Sequence, residues 1–212
     1  MIVNRTKERI IQASAALFAK KGCKSITMDD IAGAMGISKR TIYENFTDKK
    51  DLLIQSMEYF FQHRKDMIAD VLQSSQNIIE AMFQSTQCHS DIMREVKFDF
   101  FNEIQKYFPE VYASTIQKFK QEHFESGVKM LKKGQEDGVF RADIDPELIA
   151  VLIQTVVNVI LVQDVFVPHN YDKSAIISAF IFNYVRGIAT EKGLKILNQY
   201  LDMYLENMKK IS

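Results

Sequence analysis

The sequence is poor in the residues that cross-link or interrupt a chain. Among its 212 residues are two cysteines, three prolines, eight glycines and no tryptophan. Cys23 and Cys88 lack the Cys-X-X-Cys spacing of zinc fingers and disulfide-exchange motifs, so neither a zinc finger nor a disulfide framework is expected. Scarce proline and glycine favour long helices, and no clear run alternates polar and apolar residues as a strand would. We expect an all-α protein.

Catalytic and cofactor-binding motifs are also missing. The chain contains no Gly-X-Ser-X-Gly elbow, no Walker phosphate loop, no His-Glu-X-X-His and no Gly-X-Gly-X-X-Gly. Its four histidines are far apart in sequence, and one helix cannot easily direct the adjacent Cys88 and His89 at the same metal. We therefore expect no enzymatic activity, no cofactor and no metal site.

One long apolar run covers residues 148–167 and approaches the ~20 residues that cross a bilayer. Gln154, Asn158, Gln163 and Asp164 interrupt it, and no basic cluster flanks it. A helix buried in a protein interface is the better interpretation. The N-terminal residues enter an amphipathic helix directly and lack the apolar core of a signal peptide, which predicts a cytoplasmic protein.

The formal net charge of zero conceals an uneven distribution. Residues 1–50 contain 10 Lys and Arg against 5 Asp and Glu, an excess of five positive charges. Residues 51–212 contain 17 against 22, an excess of five negative charges. Such asymmetry indicates that the N-terminal part meets a polyanion, and DNA binding there should weaken as salt rises.

Residues 27–46 carry the strongest functional signal. Thr27 and Asp30 have the spacing of a capping box, with Asp in place of the usual Glu or Gln. The apolar face of the helix that follows consists of Ile31, Ala32 and Met35. Gly36 comes directly after it, as the C-terminus of a helix prefers. The pattern predicts a short helix that ends in a tight turn.

A second short helix is expected from Lys39 to about Phe46, with Ser38 as its N-cap. Ile42 and Phe46 are four residues apart and face inward. The residues left on the outer face are Lys39, Arg40, Thr41 and Tyr43. In a helix-turn-helix the second helix enters the major groove, where Arg or Lys pairs with guanine and a Thr methyl contacts thymine. An ordinary helical hairpin with a solvated basic face is the alternative.

At these residues the chain resembles the TetR family of bacterial transcriptional regulators. The resemblance covers roughly the first quarter of the chain. It consists of Leu17-Phe18-Ala19-Lys20-Lys21-Gly22, Thr27-Met-Asp-Asp-Ile-Ala, Met35-Gly-Ile-Ser, Thr41-Ile-Tyr, Phe46 and Lys49-Lys-Asp-Leu52. Arg40 stands where the family often has a small residue, and Glu44 and Asn45 stand where His-Tyr or a similar pair is common. These departures bear on the DNA sequence that is read, not on the scaffold.

We expect the DNA-contacting residues to be Thr27, Ser38, Lys39, Arg40, Thr41, Tyr43 and Lys49. Lys39, Arg40 and Thr41 would reach bases or adjacent phosphates, and Tyr43 and Lys49 would reach phosphates. Thr27, at the start of a helix, would also bind a phosphate.

The expected organisation is an N-terminal helix-turn-helix domain over 1–50 and a helical domain over 51–212. The expected helices beyond the helix-turn-helix cover about 48–71, 74–88, 90–109, 110–133, 146–167, 172 to either 187 or 193, and 194–209, and the first helix of the chain covers 5–21. Pro146 begins one of them and Pro168 breaks it.

Aromatic residues between 98 and 124, together with neighbouring apolar residues and His123, form two stripes at helical spacing. Val96, Phe100, Ile104 and Phe108 form the first, and Tyr112, Ile116, Phe119, His123 and Met130 form the second. Each residue alone is better explained as bundle core. Because the second domain of TetR proteins usually binds a small effector, the resemblance favours an apolar pocket here. Its expected lining is Phe101, Phe108, Tyr112 and Phe119, with His123 as the polar contact.

The helices at 146–166 and 173–192 are apolar on more than one face. One face can pack in the core, and the other needs a partner. A two-fold interface is the commonest solution, and the family resemblance implies the same dimer. A large core within one chain is the alternative.

These observations predict a homodimeric, ligand-responsive transcriptional regulator that binds a palindromic operator on double-stranded DNA and is released by a small, mainly apolar or aromatic effector. Analogy with the family favours repression over activation. The alternative is a DNA-binding architectural protein without an effector.

Overall fold

The computed structural model describes residues 5–94, 96–97, 99–162 and 173–209. In chain order its helices are α1 (Arg5–Lys21), α2 (Met28–Met35), α3 (Lys39–Tyr43), α4 (Lys49–Ser74), α5 (Ile78–Arg94), α6 (Phe100–Tyr107), α7 (Pro109–Val111), a π-helical turn (Tyr112–Ile116), α8 (Gln117–Glu136), α9 (Pro146–Val162), α10 (Lys173–Ile188) and α11 (Glu191–Lys209). Over these residues the chain forms no strand beyond one isolated bridge, Phe140 with Ala189. The all-α expectation is confirmed.

The first three helices form a helix-turn-helix module, α1–α3, whose ends are fixed by local hydrogen bonds. Thr27 and Asp30 form both bonds of the capping box. Gly36 ends α2 in the left-handed conformation, at φ 66°, which a residue with a Cβ adopts only at a cost. Ser38 caps α3 by accepting a bond from the Thr41 amide. The largest fully buried side chains of the module are Ile10, Phe18, Ile31 and Ile42, with Phe46 just beyond α3.

The chain divides into two compact units. One unit comprises residues 1–66 and 95–120, and the other comprises 67–94 and 121–212. The helix-turn-helix module therefore belongs to the same unit as α6, α7 and the π turn. Asp48 begins α4 as expected, since its carboxylate accepts a bond from the Asp51 amide at 2.7 Å.

The second unit has its core between α5, α8, α10 and α11. Its most deeply buried side chains are Ile79, Leu131, Phe140, Val185 and Leu197. The bridge beside this core joins the loop before α9 to the end of α10: the Arg141 amide donates to the Ile188 carbonyl, and the Thr190 amide donates to the Val139 carbonyl. Thr190 also caps α11 by accepting a bond from the Gly193 amide. α10 ends at Ile188, directly after Gly187, which is one of its two expected ends.

Two further boundaries differ from the sequence-based expectation. The helix expected from residue 90 does not begin there, because α5 continues to Arg94 and α6 begins at Phe100. The helix expected at 146–167 is observed as Pro146–Val162, and residues 163–167 lie outside the described residues. Among the described residues, none of the helices combines the length and apolar character that crossing a bilayer requires.

The π turn changes which residues face inward along the next helix. Its backbone bonds span five residues, as in the bond from the Gln117 amide to the Tyr112 carbonyl, so the segment contains one residue more than an α-helix would. Beyond it the buried and half-buried positions include Phe124, Val128 and Leu131, whereas His123 is exposed. Placing His123 on an inward stripe was wrong, because Phe124 and Val128 occupy the inward positions of this part of α8.

Two glycines in α8 make a matched test of close packing. A Cβ added at Gly134 would lie 2.1 Å from the Phe140 ring, whereas one at Gly127 would meet the Ala150 methyl at an ordinary 3.9 Å. We expect Gly134→Ala to destabilise the protein by about 1–3 kcal/mol, because the ring must leave its position. Gly127→Ala should stabilise it by about 0.5–1 kcal/mol through helix propensity. Urea unfolding of both variants measures the difference, and equal effects would contradict this packing.

Candidate nucleic-acid interface

The outer surface of α3 presents polar side chains and its inner surface presents apolar ones. Ile42 and Phe46 are buried in the module, as expected. Lys39, Arg40 and Tyr43 are exposed, and Thr41 is half-buried. The Arg40 side chain is 89% exposed and is therefore accessible to the groove of a nucleic acid. The geometry is that of a recognition helix presented to solvent.

Both cations at the start of α3 already have carboxylate partners. The Lys39 ammonium lies 2.7 Å from Oδ2 of Asp29, and Nε of Arg40 lies 3.0 Å from Oε1 of Glu44. The hydrogen bond to Asp29 raises the pKa of Lys39. Sequence reasoning missed both pairs, although the i, i+4 spacing of Arg40 and Glu44 is a recognised helix-pair signal. Any anion that binds these two cations must compete with the carboxylates.

The hydroxyl groups that were predicted to contact DNA take part in the N-terminal caps of α2 and α3. The Thr27 hydroxyl donates to the Asp30 carboxylate at 2.6 Å and accepts from the Asp30 amide. The bonds that the Thr27 hydroxyl and the Thr27 amide donate to this carboxylate lower the pKa of Asp30. Oγ of Ser38 accepts from the Thr41 amide at 3.0 Å and lies 2.9 Å from the Thr41 hydroxyl. All three residues are at helix starts, where backbone amides and side-chain hydroxyls commonly meet phosphate.

Lys49 is turned away from the other predicted contacts. Its ammonium donates to the Lys24 carbonyl at 3.2 Å and lies 5.6 Å from the centre of the Phe108 ring. Burial lowers the pKa of Lys49. The neighbouring Lys50 is exposed and pairs with Glu110. Sequence reasoning did not find the inward direction of Lys49, because its partners come from distant parts of the chain.

The aromatic residues expected to line a pocket lie in different surroundings. Phe119 stacks on Phe61 with ring centres 4.1 Å apart, and the Arg64 guanidinium lies 4.9 Å from the Phe119 ring. Phe101 contacts the Phe100 ring. The Tyr112 hydroxyl accepts a bond from Lys120 at 3.0 Å. Phe108 lies beside the Lys49 ammonium, as described above.

Arg64 is a residue that sequence reasoning missed. It is buried, although arginine in a long helix is normally placed in solvent.

Among the described residues, no group of three or more His, Cys, Asp or Glu side chains is arranged to hold a metal ion.

An exposed apolar face occurs on α9. Leu148, Val151 and Leu152 are 56%, 46% and 42% exposed and follow the i, i+3, i+4 spacing of one helix face. On α10, Ile176, Phe180 and Tyr184 are half-buried at four-residue intervals, while Ile177 and Val185 are buried. Of the two helices expected to dimerise, α9 therefore leaves the more apolar surface uncovered.

Comparison with known proteins agrees with this geometry. The family model "Bacterial regulatory proteins, tetR family" matches residues 10–55, which contain α2, α3 and most of α1. The HTH-type transcriptional repressor KstR2 of Mycobacterium tuberculosis is 27% identical over 154 residues, covering 69% of this chain and 75% of KstR2. The uncharacterized regulator YvaF of Bacillus subtilis is 24% identical over 186 residues, covering 87% and 96%.

The fold comparison extends over most of the chain. The crystal structure of a TetR-family transcriptional regulator from Agrobacterium tumefaciens matches with a TM-score of 0.72 at 16% identity, covering 88% of this chain and 98% of that one. This likeness concerns the fold, while the relatives and the family model identify the DNA-binding module. Residues 10–55 therefore carry the DNA-binding domain of the TetR family, and the chain is similar to transcriptional regulators over most of its length.

Proposed function

We propose that the protein is a repressor that binds a palindromic operator as a homodimer and releases it when a mainly apolar or aromatic effector binds. The observation that carries the proposal is the outward face of α3, where Arg40 and Tyr43 are exposed above a buried Ile42. The similarity to a protein described as a transcriptional repressor supports repression. Footprinting on the DNA that flanks the gene, repeated with cell extracts, tests the whole proposal.

In the proposed complex, Lys39 and Arg40 exchange their carboxylate partners for DNA. Exposed ion pairs contribute little to stability, so the exchange is inexpensive in free energy. Asp29 and Glu44 then remain close to the phosphates and oppose binding. Their repulsion acts on every DNA sequence, whereas a guanine contact from Arg40 is gained only at the correct site. The two carboxylates therefore lower affinity for all DNA alike, while the contact from Arg40 supplies the discrimination between sequences.

Two substitutions, one in α3 and one at its C-cap, separate base recognition by Arg40 from the repulsion by Glu44. Arg40→Ala should lose about 1–3 kcal/mol of discrimination at one base position, because a bidentate guanine contact disappears. Glu44→Gln should increase affinity for random DNA by roughly threefold, since one repulsive surface charge is removed. Fluorescence anisotropy titrations with an operator library and with random DNA measure both changes.

Glu136→Gln is the matched control for Glu44→Gln, because it removes an exposed carboxylate at the end of α8. It should leave both affinities unchanged. Unaltered affinity and unaltered base preference in Arg40→Ala would exclude this docking of α3.

For the dimer we propose that the exposed face of α9 and the half-buried stripe on α10 meet their copies across a two-fold axis. Leu148, Val151 and Leu152 together form an apolar patch that association would remove from water. The spacing of one turn between them presents a continuous strip to the partner. Two copies of the helix-turn-helix module would then meet successive major grooves about 34–36 Å apart.

Val151→Glu should convert the dimer to monomers. An unpaired carboxylate buried at the interface costs about 3–5 kcal/mol, which weakens association more than a hundredfold. Sedimentation velocity at micromolar concentration measures the change. Leu72→Glu is the control, because Leu72 is also an exposed apolar residue but lies on α4. Ile177→Glu is a poor test, since Ile177 is buried within its own chain. A monomeric wild-type protein would refute the interface.

For the effector site we propose the aromatic residues of the first compact unit, with Phe119 as the principal contact. Phe101, Phe108 and Tyr112 remain candidates, and each is half-buried. Because His123 is exposed, the buried Arg64 beside Phe119 is the better candidate for a polar contact. A mostly apolar wall with cations beside it, Arg64 at Phe119, Lys120 at Tyr112 and Lys49 at Phe108, favours an apolar effector that carries an acidic or carbonyl group.

Phe119→Ala should weaken binding of the apolar probe anilinonaphthalene sulfonate at least tenfold while operator affinity is kept. The reason is that one of two stacked rings is removed from the proposed site. Phe83→Ala is the control, since Phe83 is another half-buried, stacked ring, in the second unit. Probe fluorescence, melting temperature and operator affinity are measured together. A large loss of melting temperature with unchanged probe binding would assign Phe119 to the core, where loss of its ring costs about 3–5 kcal/mol.

A further inference from the structure

The first side chain of α4 is directed inward, whereas the residues on either side of it are exposed. Lys49 is half-buried, and its neighbours in sequence, Asp48 and Lys50, are exposed. Its ammonium donates a hydrogen bond to the Lys24 carbonyl at 3.2 Å and lies 5.6 Å from the centre of the Phe108 ring. All of these groups belong to the first compact unit. A basic side chain from the start of α4 is therefore held against Phe108, the residue that separates α6 from α7.

The two inward contacts of Lys49 are weak. The hydrogen bond is at the long end of the range for an N–H donor and an oxygen acceptor. The ring distance is close to the limit of ~6 Å within which a cation gains from an aromatic face. Burial disfavours the charged ammonium and lowers the pKa of Lys49, so its present surroundings solvate the charge less well than water does. Little free energy is therefore lost when the ammonium leaves this position.

The inward partners of Lys49 are electrically neutral, unlike those of the two cations on α3. Lys39 and Arg40 are paired with carboxylates, which stay beside them as opposing charges when a polyanion approaches. When Lys49 leaves a carbonyl group and an aromatic ring, no unpaired charge remains behind. Transfer of the Lys49 ammonium to a phosphate therefore lacks the repulsion that accompanies the same transfer of Lys39 or Arg40.

Two carboxylates, Glu103 and Asp30, attract the Lys49 ammonium through space, and each has a bond partner of its own. The Glu103 carboxylate accepts a hydrogen bond from the Lys24 amide at 3.0 Å. The Asp30 carboxylate accepts bonds from the hydroxyl and the amide of Thr27. Departure of Lys49 therefore leaves neither carboxylate without a partner.

Lys49 follows the outer surface of α3 closely along the chain. It is six positions after Tyr43, which is exposed on that surface together with Arg40. A lysine carries its charge on a flexible four-carbon stem and meets phosphate as a point charge. Rotation of this stem moves the ammonium from an inward to an outward position, and the backbone of α4 need not move.

We infer that Lys49 is a phosphate contact that the free protein holds inward, and that Phe108 is the side chain that holds it there. DNA draws the ammonium away from the Lys24 carbonyl and the Phe108 ring. These inward contacts are therefore autoinhibitory, and they lower the affinity for every DNA sequence alike. The inference rests on the proposed function, in which α3 enters the major groove.

Two substitutions and their combination test the inference. Phe108→Leu removes the aromatic face and keeps an apolar side chain in its place. Lys49→Gln removes the charge and keeps an N–H donor for the Lys24 carbonyl. The double variant shows whether the effect of Phe108 on DNA binding acts through Lys49, because independent residues would have additive effects.

We expect Phe108→Leu to bind operator and random DNA roughly two- to fivefold more tightly than the wild type, because a contact that opposes release of Lys49 is removed. Lys49→Gln should bind both more weakly, and the slope of log affinity against log salt should fall in magnitude by about 0.9, the share of one phosphate. Phe108→Leu should keep the wild-type slope, since its DNA-bound state is the same. In the Lys49→Gln background, Phe108→Leu should have no effect.

Fluorescence anisotropy over a series of salt concentrations, without small molecules, measures the affinities and slopes of these proteins. Phe60→Leu is the matched control, because Phe60 is another half-buried aromatic residue of the first compact unit and its ring contacts Phe61. It should keep the wild-type affinity and slope.

Unchanged or weaker DNA binding by Phe108→Leu overturns the inference. An equal gain from Phe108→Leu in the presence and absence of the Lys49 charge also overturns it, because Phe108 would then act on the fold and not on Lys49. A wild-type salt slope in Lys49→Gln excludes the phosphate contact. If Phe108→Leu fails to fold, Phe108→Ile replaces it with the same expectations. A wild-type protein that binds no DNA refutes the proposed function itself, and the role of Lys49 with it.

Discussion

The whole DNA-reading surface depends on how two very short helices are ended. α2 has 8 residues and α3 has 5, well below the length at which a helix is stable alone in water. The capping box at Thr27, the left-handed Gly36 and the Ser38 cap satisfy backbone groups that would otherwise be unpaired. Burial of Ile31 and Ile42 then fixes the direction of α3, and this direction determines which side chains face a groove.

The local signals of this module made it predictable from sequence. Caps, a glycine stop and an apolar spacing act within a few residues of one another, so the expected bounds of α1 and α2 agree with the structure. The bonds that orient the module were not predictable. Glu103 and Lys24 are 79 positions apart, and nothing in the residues between them indicates the contact. Lys49 turns inward for the same reason, since Lys24 and Phe108 receive it.

In the remainder of the chain the presence of helices was predictable from the sequence, whereas several helix ends and inward faces were not. The apolar character of α9 and α10 is evident in the sequence, but only the structure distinguishes the buried Ile177 from the exposed Val151. A long helical period predicted that His123 would face inward. In the structure Phe124 and Val128 face inward and His123 is exposed, so the four-residue step from Phe119 to His123 leads out of the buried face. The domain boundary expected at residue 50 and the ligand-contacting residues stay predictions.

The π turn at Tyr112–Ile116 has a consequence for the use of relatives. Such a turn is equivalent to a one-residue insertion into an α-helix. A relative whose corresponding helix is α-helical throughout must be aligned with a one-residue gap at this segment. An ungapped alignment would shift every later position of α8 by one residue and exchange Phe124 for its exposed neighbour. Pocket residues transferred from such an alignment would then point to solvent, and the ungapped alignment itself would give no sign of the shift.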